Sequence, residues 1–391
     1  MTPFIPPGAT LGVMGGGQLG RMFVHAAQQM GYFVVVLDAD PASPAGMVAQ
    51  YHIKAGYLDE QGLAQLMQRS AAITTEFENV PAEALMTLGA QRLVAPGAEA
   101  VAVCQDRAAE KQHFARCDVP CAPHAVIDSA AGLDSVPDHL LPGILKTTRL
   151  GYDGKGQVRV ATRADLSGAW HALGGVSTVL EKLLPLAFEV SVIVARSAAG
   201  QMVHFPLQQN LHRDGILAVT QVPAPDLTHA VQQRAIDAAK RVAESLGYVG
   251  VLCVEFFVLQ DGSVVANEMA PRPHNSGHYT IDACDLSQFD LQVRTMTGAP
   301  LAEPRLHSPA VMLNLLGDLW FASGADAQDD RVREPDWARV LALPGVHLHL
   351  YGKATPRRAR KMGHLTLTAA SVAEVRSVAL QAAAILGLAA F

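Results

Sequence analysis

The chain has little of what marks a secreted, membrane-bound or nucleic-acid-binding protein. Only five of its 391 residues are cysteine (Cys104, Cys117, Cys121, Cys253 and Cys284). They form no Cys-x-x-Cys pair and no zinc-ligand set, which fits reduced thiols in the cytoplasm rather than a disulfide framework. Positive charge is not in excess: the net charge is −6. No basic block with interleaved aromatics appears, so nucleic acid is not an expected partner. Half of the residues are hydrophobic, yet no uninterrupted apolar run has the length of a membrane span, so no membrane partner is expected. The opening MTPFIPPGAT has no cationic segment followed by an apolar core, and no secretory signal is predicted. Internal repeats and low-complexity tracts are also missing. These absences leave a soluble intracellular protein of two or three domains.

The most informative feature present is a hairpin with two opposed carboxylates. Val251 to Leu259 (VLCVEFFVL) reads as a buried strand, Asp261-Gly262 as a two-residue turn, and Val264 to Glu268 (VVANE) as the return strand. Counting from the turn pairs Leu259 with Val264, Phe257 with Ala266 and Glu255 with Glu268. Like charges directly opposite repel, so such a pair implies a cation between them or a shared proton. A register shift that sends one Glu to solvent is the alternative. Met269 to His278 (MAPRPHNSGH) follows at once, a proline-interrupted stretch expected to loop over the site. Arg272 there suits an anion, or a structural salt bridge.

A second glycine-rich stretch lies upstream. Lys146 closes an apolar run, and Gly151-Tyr152-Asp153-Gly154-Lys155-Gly156-Gln157 follows before a strand resumes at Val158. Its backbone N–H groups can approach a polyphosphate, with Lys146 and Lys155 supplying charge. The spacing is not that of a Walker-A loop; an ordinary hairpin is the alternative.

The N-terminal third alternates strand and helix: LGVMG, a helix through Met30, FVVVLDAD, AAITTEF and RLVAPG. That predicts parallel β-α-β units with ligands at the C-terminal strand edge. Gly15-Gly16-Gly17-Gln18-Leu19-Gly20, with Asp38 about twenty residues on, satisfies the dinucleotide fingerprint. A nicotinamide oxidoreductase is the reading of residues 1–40 alone, and it leaves Glu255 and Glu268 unexplained. A helix N-terminus binds any phosphate, however. Glu76, Glu78 and Asn79 close a later strand at the same edge, as ribose contacts or as a helix N-cap region. Strands near VMLNLLG and HLHLYG and a final helix with apolar Val372, Val375, Ala379, Ala382 and Leu386 complete the chain.

Six motifs in order, GGGQLGRM, TTEFENVP, KTTRLGYDGKGQ, EKLLPLAFEVSVI, VEFFV…NEMAPRPHNSGHYT and YGK…RKMGH, carry a family resemblance. Together they resemble the N5-carboxyaminoimidazole ribonucleotide synthetases, ATP-grasp ligases of purine synthesis. The resemblance implies an α/β and α+β architecture: a Rossmann-like domain over 1–103, an ATP-grasp domain over 104–300 and a small C-terminal domain over 301–391. It also implies ATP and Mg2+ as cofactors, bicarbonate and 5-aminoimidazole ribonucleotide as substrates, and a homodimer. A non-catalytic nucleotide sensor would need a broken phosphoryl-transfer set, and no break is visible.

The same resemblance implies the site residues. ATP contacts fall on Arg107, Lys146, Gly151 to Gln157, Glu189, His212 and Asn267, with Glu181, Lys182, Leu183 and Leu184 as the backbone linker to adenine and Glu189 on the ribose. Glu255 and Glu268 would ligate Mg2+. Gln18, Leu19, Glu76, Lys353 and Arg360 would hold the ribonucleotide, with Tyr152 and Asp153 closing over it. Lys155, Arg272 and His274 would surround bicarbonate and carboxyphosphate. Many relatives carry Arg at the position of Lys155, where lysine offers a point charge rather than a fork. His204, His347 and His349 receive no role.

Overall fold

The computed structural model of the chain describes residues 4–151, 154–321 and 331–391. The N-terminal alternation forms a parallel five-stranded sheet with Thr10–Met14 at its centre. Phe33–Leu37 and then Tyr51–Ile53 lie on one side, Ala72–Thr75 and then Leu93–Val94 on the other. Leu11, Val13 and Met14 are fully buried, as a strand covered on both faces requires. Tyr51–Ile53 escapes sequence reading because it is three residues long with a central histidine. Helix Gln18–Gln29 packs Phe23 and Ala27 into one core with Phe289, Val293 and Met296 of helix Gln288–Thr297. The N-terminal sheet is thereby docked on the central region through apolar contact.

The central region is built on a nine-stranded sheet, antiparallel at every junction. Leu186–Arg196 and Gly250–Leu259 form its core, covered by helix His229–Ser245, whose Ala235, Ala239 and Val242 meet Val192, Leu252 and Val254. The sheet does not stop at residue 300. Ile216–Val222 pairs with Ala310–Leu316, which pairs with Lys361–Thr368, and Val346–Leu350 forms the far edge. Helix Val372–Leu386 covers that end through Val375, Val378, Ala379 and Ala382, while Val372 stays exposed. A separate four-stranded antiparallel sheet runs His124–Ile127, Thr178–Lys182, Gly143–Thr147 and Gln157–Val160.

The carboxylate hairpin differs from its sequence reading in an informative way. The loop has three residues, Gln260 to Gly262, closed by Leu259 and Ser263, with Gly262 in the left-handed region at φ +79°. Val258 therefore opposes Val264, and Phe256 rather than Phe257 opposes Ala266. That register would place Glu255 opposite Asn267. A β-bulge at Asn267 takes up one residue, so Glu255 faces Glu268 after all. Bulges of this kind re-aim side chains beside functional sites.

Leu252 is fully exposure-free in the core under helix His229–Ser245. Leu252→Ala should lower unfolding free energy by about 2–5 kcal/mol in urea denaturation. A loss under about 1 kcal/mol would contradict the packing described.

Candidate active site

The two central sheets and the C-terminal edge of the N-terminal sheet surround a cavity of about 950 Å³. Segments from all six motifs reach it, and several of the charged groups there are ion-paired.

Behind the cavity wall lies a buried charge triad. Lys111 on helix Arg107–Arg116 and Lys146 at the end of strand Gly143–Thr147 each stand 2.9 Å from one oxygen of Glu181. Burial would raise the Glu181 carboxyl, but Lys146 and Lys111 outweigh it and hold the group at about 2. Two cations on one anion leave a net positive charge in a low-dielectric wall, a setting for polyphosphate. Lys146 lines the cavity. Sequence reading missed Lys111 and assigned Glu181 by its backbone. The available signal was that helix Arg107–Arg116 lacks an apolar stripe, so its inward face had to be charged. Glu110 on that helix accepts from the Met269 N–H at 2.6 Å, and burial pushes its carboxyl up to about 8.

The expected base-reading linker is only partly available. The Lys182 N–H donates to the Pro123 carbonyl and the Leu183 N–H to the Pro142 carbonyl, both at about 3 Å. Glu181 is a strand residue paired on both sides, and Lys182 pairs with Gly143. Of the four linker residues, Leu183 reaches the cavity. Glu189 and His212 do line it, and they contact each other through a carboxylate oxygen and Nδ1. Burial lowers the His212 imidazole.

The opposed carboxylates each have a cation. Glu255 is 3.0 Å from His274 Nε2, and Glu268 is 2.9 Å from Arg107 Nη1. Burial disfavours charge on both members of the first pair. Contact with His274 nevertheless holds Glu255 down to about 2, and Cys253 with Glu255 pushes His274 up to about 10. Asn267, the bulge residue between them, lines the same cavity and has a buried Oδ1 without a hydrogen-bond partner. Two carboxylates and an unsatisfied amide oxygen are hard oxygen donors of the kind Mg2+ takes, so the residues fit that ion.

Arg272 lines the cavity, and part of its guanidinium is engaged on the protein. Its Nε meets the Glu78 carboxylate and its Nη1 donates to the Pro273 carbonyl at 3.1 Å. Arg272 in turn outweighs burial and holds Glu78 at about 2. The glycine loop joins strands Gly143–Thr147 and Gln157–Val160, and Gly151, Gly154, Lys155 and Gln157 line the cavity while Gly156 does not. Tyr152 and Asp153 lie outside the described residues.

The dinucleotide fingerprint is filled by the protein itself. Both Glu76 oxygens sit on the N-terminus of helix Gln18–Gln29, accepting from the Gly17 N–H at 2.9 Å and the Gly20 N–H at 3.1 Å. Asp38 accepts from the Gly16 N–H at 2.7 Å and the Tyr57 hydroxyl at 2.8 Å. A Cβ at Gly17 would lie 2.5 Å from Glu76 Oε1, so the glycines admit a side-chain carboxylate where a pyrophosphate would sit. The anion expected on this helix end is Glu76. Gln18 and Leu19 still line the cavity beside it, and Lys353 and Arg360 line it from the C-terminal segment. There Lys353 donates to the Lys361 carbonyl at 2.7 Å and Arg360 to the Thr355 carbonyl at 2.8 Å.

A Rossmann-like sheet joined to two antiparallel sheets over a cationic, carboxylate-lined cavity defines an ATP-grasp enzyme. Family models agree: a ribonucleotide synthetase preATP-grasp domain over residues 8–105, an ATP-grasp domain over 112–289 and a phosphoribosylaminoimidazole carboxylase C-terminal domain over 310–378. The chain is 42% identical over 365 residues to the N5-carboxyaminoimidazole ribonucleotide synthase of Brucella melitensis, covering 93% of this chain and 97% of that one. The Bacillus subtilis enzyme of that name is 39% identical, with 93% and 92% covered. A crystal structure of N5-carboxyaminoimidazole ribonucleotide synthetase with ADP superposes at a TM-score of 0.91, with 39% identity and 99% of each chain covered. An Aspergillus clavatus structure with ADP and 5-aminoimidazole ribonucleotide reaches 0.86 at 30% identity, with 97% and 98% covered. The chain belongs to the N5-carboxyaminoimidazole ribonucleotide synthase family.

The Glu255–His274 pair has a defined pH signature. The carboxylate's contribution is complete above its ordinary 4.5 and is lost as pH falls through about 2. The imidazolium's is complete below its ordinary 6.5 and is lost as pH rises through about 10. In metal-free buffer, the stability lost in Glu255→Gln should be largest between these ordinary values and shrink toward pH 10. A loss that stays constant from pH 6 to 10 would contradict the pairing.

Proposed function

We infer that the protein is an ATP-dependent ligase that carboxylates 5-aminoimidazole ribonucleotide with bicarbonate, forming N5-carboxyaminoimidazole ribonucleotide, ADP and phosphate. Family membership over nearly the whole length supports the reaction. The observation that carries it to this chain is the paired charge set of the cavity. Arg107 and Lys146 are cations that a triphosphate takes, and Glu255 and Glu268 are the carboxylates left for a divalent ion. Binding the metal nucleotide exchanges partners without stranding a buried charge. When bound, Mg2+ would neutralise phosphate oxygens and favour phosphoryl transfer.

In this reading a bicarbonate oxygen attacks the γ-phosphorus, ADP leaves, and carboxyphosphate forms. The exocyclic amine of the ribonucleotide then takes the carboxyl group, directly or as CO2, and phosphate is released. Lys155, Arg272 and His274 provide the positive charge around the carboxyphosphate, and Glu189 and His212 face the nucleoside. Gln18 and Leu19 hold the ribonucleotide from the N-terminal edge, beside the helix end that Glu76 caps, and Lys353 and Arg360 hold its 5′-phosphate. Tyr152 and Asp153 belong to the loop that covers the substrate. Excluding water protects the intermediate, so ADP formation waits for the amine. The same reading places the protein in the cytoplasm as a homodimer, and its five cysteines are unpaired, as reduced thiols are.

ADP release should require both bicarbonate and 5-aminoimidazole ribonucleotide, with little turnover when either is withheld. Full turnover without the ribonucleotide would contradict the reading. Lys353→Ala should raise KM for the ribonucleotide about ten- to a hundred-fold, the scale of one charged phosphate contact, with KM for ATP nearly unchanged. Equal effects on both substrates would remove Lys353 from the phosphate site.

A further inference from the structure

Outside the cavity's nucleotide and metal wall, one cluster has no part in the reaction above. His347 and His349 lie two residues apart on strand Val346–Leu350, and His349 stands directly opposite His364 on strand Lys361–Thr368. Asp282 of helix Thr280–Ala283 faces both histidines of the first strand. Its Oδ2 is 2.8 Å from His349 Nε2, and its Oδ1 is 3.6 Å from His347 Nδ1. One donor atom each from Asp282, His349 and His364 lies within 4.8 Å of the others.

His364 supplies the independent observation. It has no solvent exposure, and its Nε2 has no hydrogen-bond partner. Its Nδ1 is 3.0 Å from the Tyr351 hydroxyl. With Nδ1 carrying the proton and donating to Tyr351, Nε2 presents a bare lone pair, the arrangement that orients a ligating histidine. Burial also lowers this imidazole well below its ordinary value, which favours the neutral, ligating form. An imidazolium–carboxylate pair between His349 and Asp282 would leave that nitrogen unsatisfied, at the cost of a desolvated acceptor. A shared ion satisfies all three groups.

We propose that Asp282, His349 and His364 form a site for a borderline-soft divalent ion of the Zn2+ class, distinct from the Mg2+ position at Glu255 and Glu268. Two imidazoles and one carboxylate suit such an ion and leave a position for water, whereas Mg2+ prefers oxygen donors. The His349 and His364 rings are stacked, with centroids 4.5 Å apart and an interplanar angle of 11°. They must tilt about their Cβ–Cγ bonds for both lone pairs to meet one ion. The consequence is mechanical. The two strands are the arms of a hairpin whose connection carries Lys353 and Arg360, and the ion would tie its base to the helix that follows the Arg272–His278 loop.

The test uses the full-length protein without a histidine tag, stripped with chelator and titrated with Co2+ or Zn2+ by equilibrium dialysis and visible absorption. One ion per chain is expected, with Co2+ giving the absorption of nitrogen-containing low-coordinate sites. Asp282→Asn and His349→Gln should each weaken affinity by about 100-fold or more, beyond the cost of losing an outer-shell partner, and His171→Gln, at an exposed helical position, should leave it unchanged. His349 is partly exposed, so its variant serves if Asp282→Asn does not fold; circular dichroism and ADP binding report folding. No saturable binding by the wild-type chain, or binding that His349→Gln leaves intact, overturns the site.

Discussion

The site depends on one constraint: a charge removed from water must be paired. Glu181 between Lys111 and Lys146 is its deepest expression, with side-chain exposures of 5%, 1% and 10%. Removing Glu181 would strand both lysines in a medium where an isolated ion costs several kcal/mol, whereas removing either lysine leaves Glu181 one partner. Around this triad the same rule repeats, with Glu255 on His274, Glu268 on Arg107 and Glu78 on Arg272. The Glu268–Arg107 and Glu78–Arg272 pairs are drawn from distant parts of the chain, so these charges also help to fix how the domains meet. The nucleotide wall thus pairs its carboxylates with cations and keeps one positive charge over at the triad, so that cations and carboxylates can change partners when a metal nucleotide arrives.

The N-terminal fingerprint shows the difference between a motif and its use. Gly15 to Gly20 forms the loop and helix start that the pattern predicts, and the backbone N–H groups point outward as they would toward phosphate. What they meet is Glu76, with Asp38 beside it. A carboxylate at a helix N-terminus is stabilising for the same electrostatic reason that a phosphate is. Sequence spacing cannot tell the two apart, because the distinguishing residue sits 59 positions away from Gly17. Family membership and the filled loop agree against a nicotinamide enzyme.

Much of the architecture was legible because its signals are local. The alternating N-terminal elements, the Gly250–Leu259 strand and the last helix follow from apolar periodicity, and each is found. The Glu255–Glu268 opposition was also legible, although the pairing reached it by another route. A three-residue loop shifts the register and the Asn267 bulge restores it, and a bulge leaves no trace in an apolar pattern. Lys111 was not legible, because its partner Glu181 is non-local and a lysine in a short helix reads as solvated. The Asp282–His349–His364 cluster was equally hidden, since its members come from three elements brought together by the continuous sheet.

The central claim is that this cavity transfers a phosphoryl group from ATP to bicarbonate. Oxygen-18-labelled bicarbonate tests it directly, since breakdown of carboxyphosphate by attack at carbon or by loss of CO2 leaves a bicarbonate oxygen on the released phosphate. Mass spectrometry of phosphate formed with ATP, ribonucleotide and labelled bicarbonate should show one oxygen-18 per phosphate, after allowance for exchange with water. Unlabelled phosphate, formed in step with ADP and product, would mean that bicarbonate is not the phosphoryl acceptor.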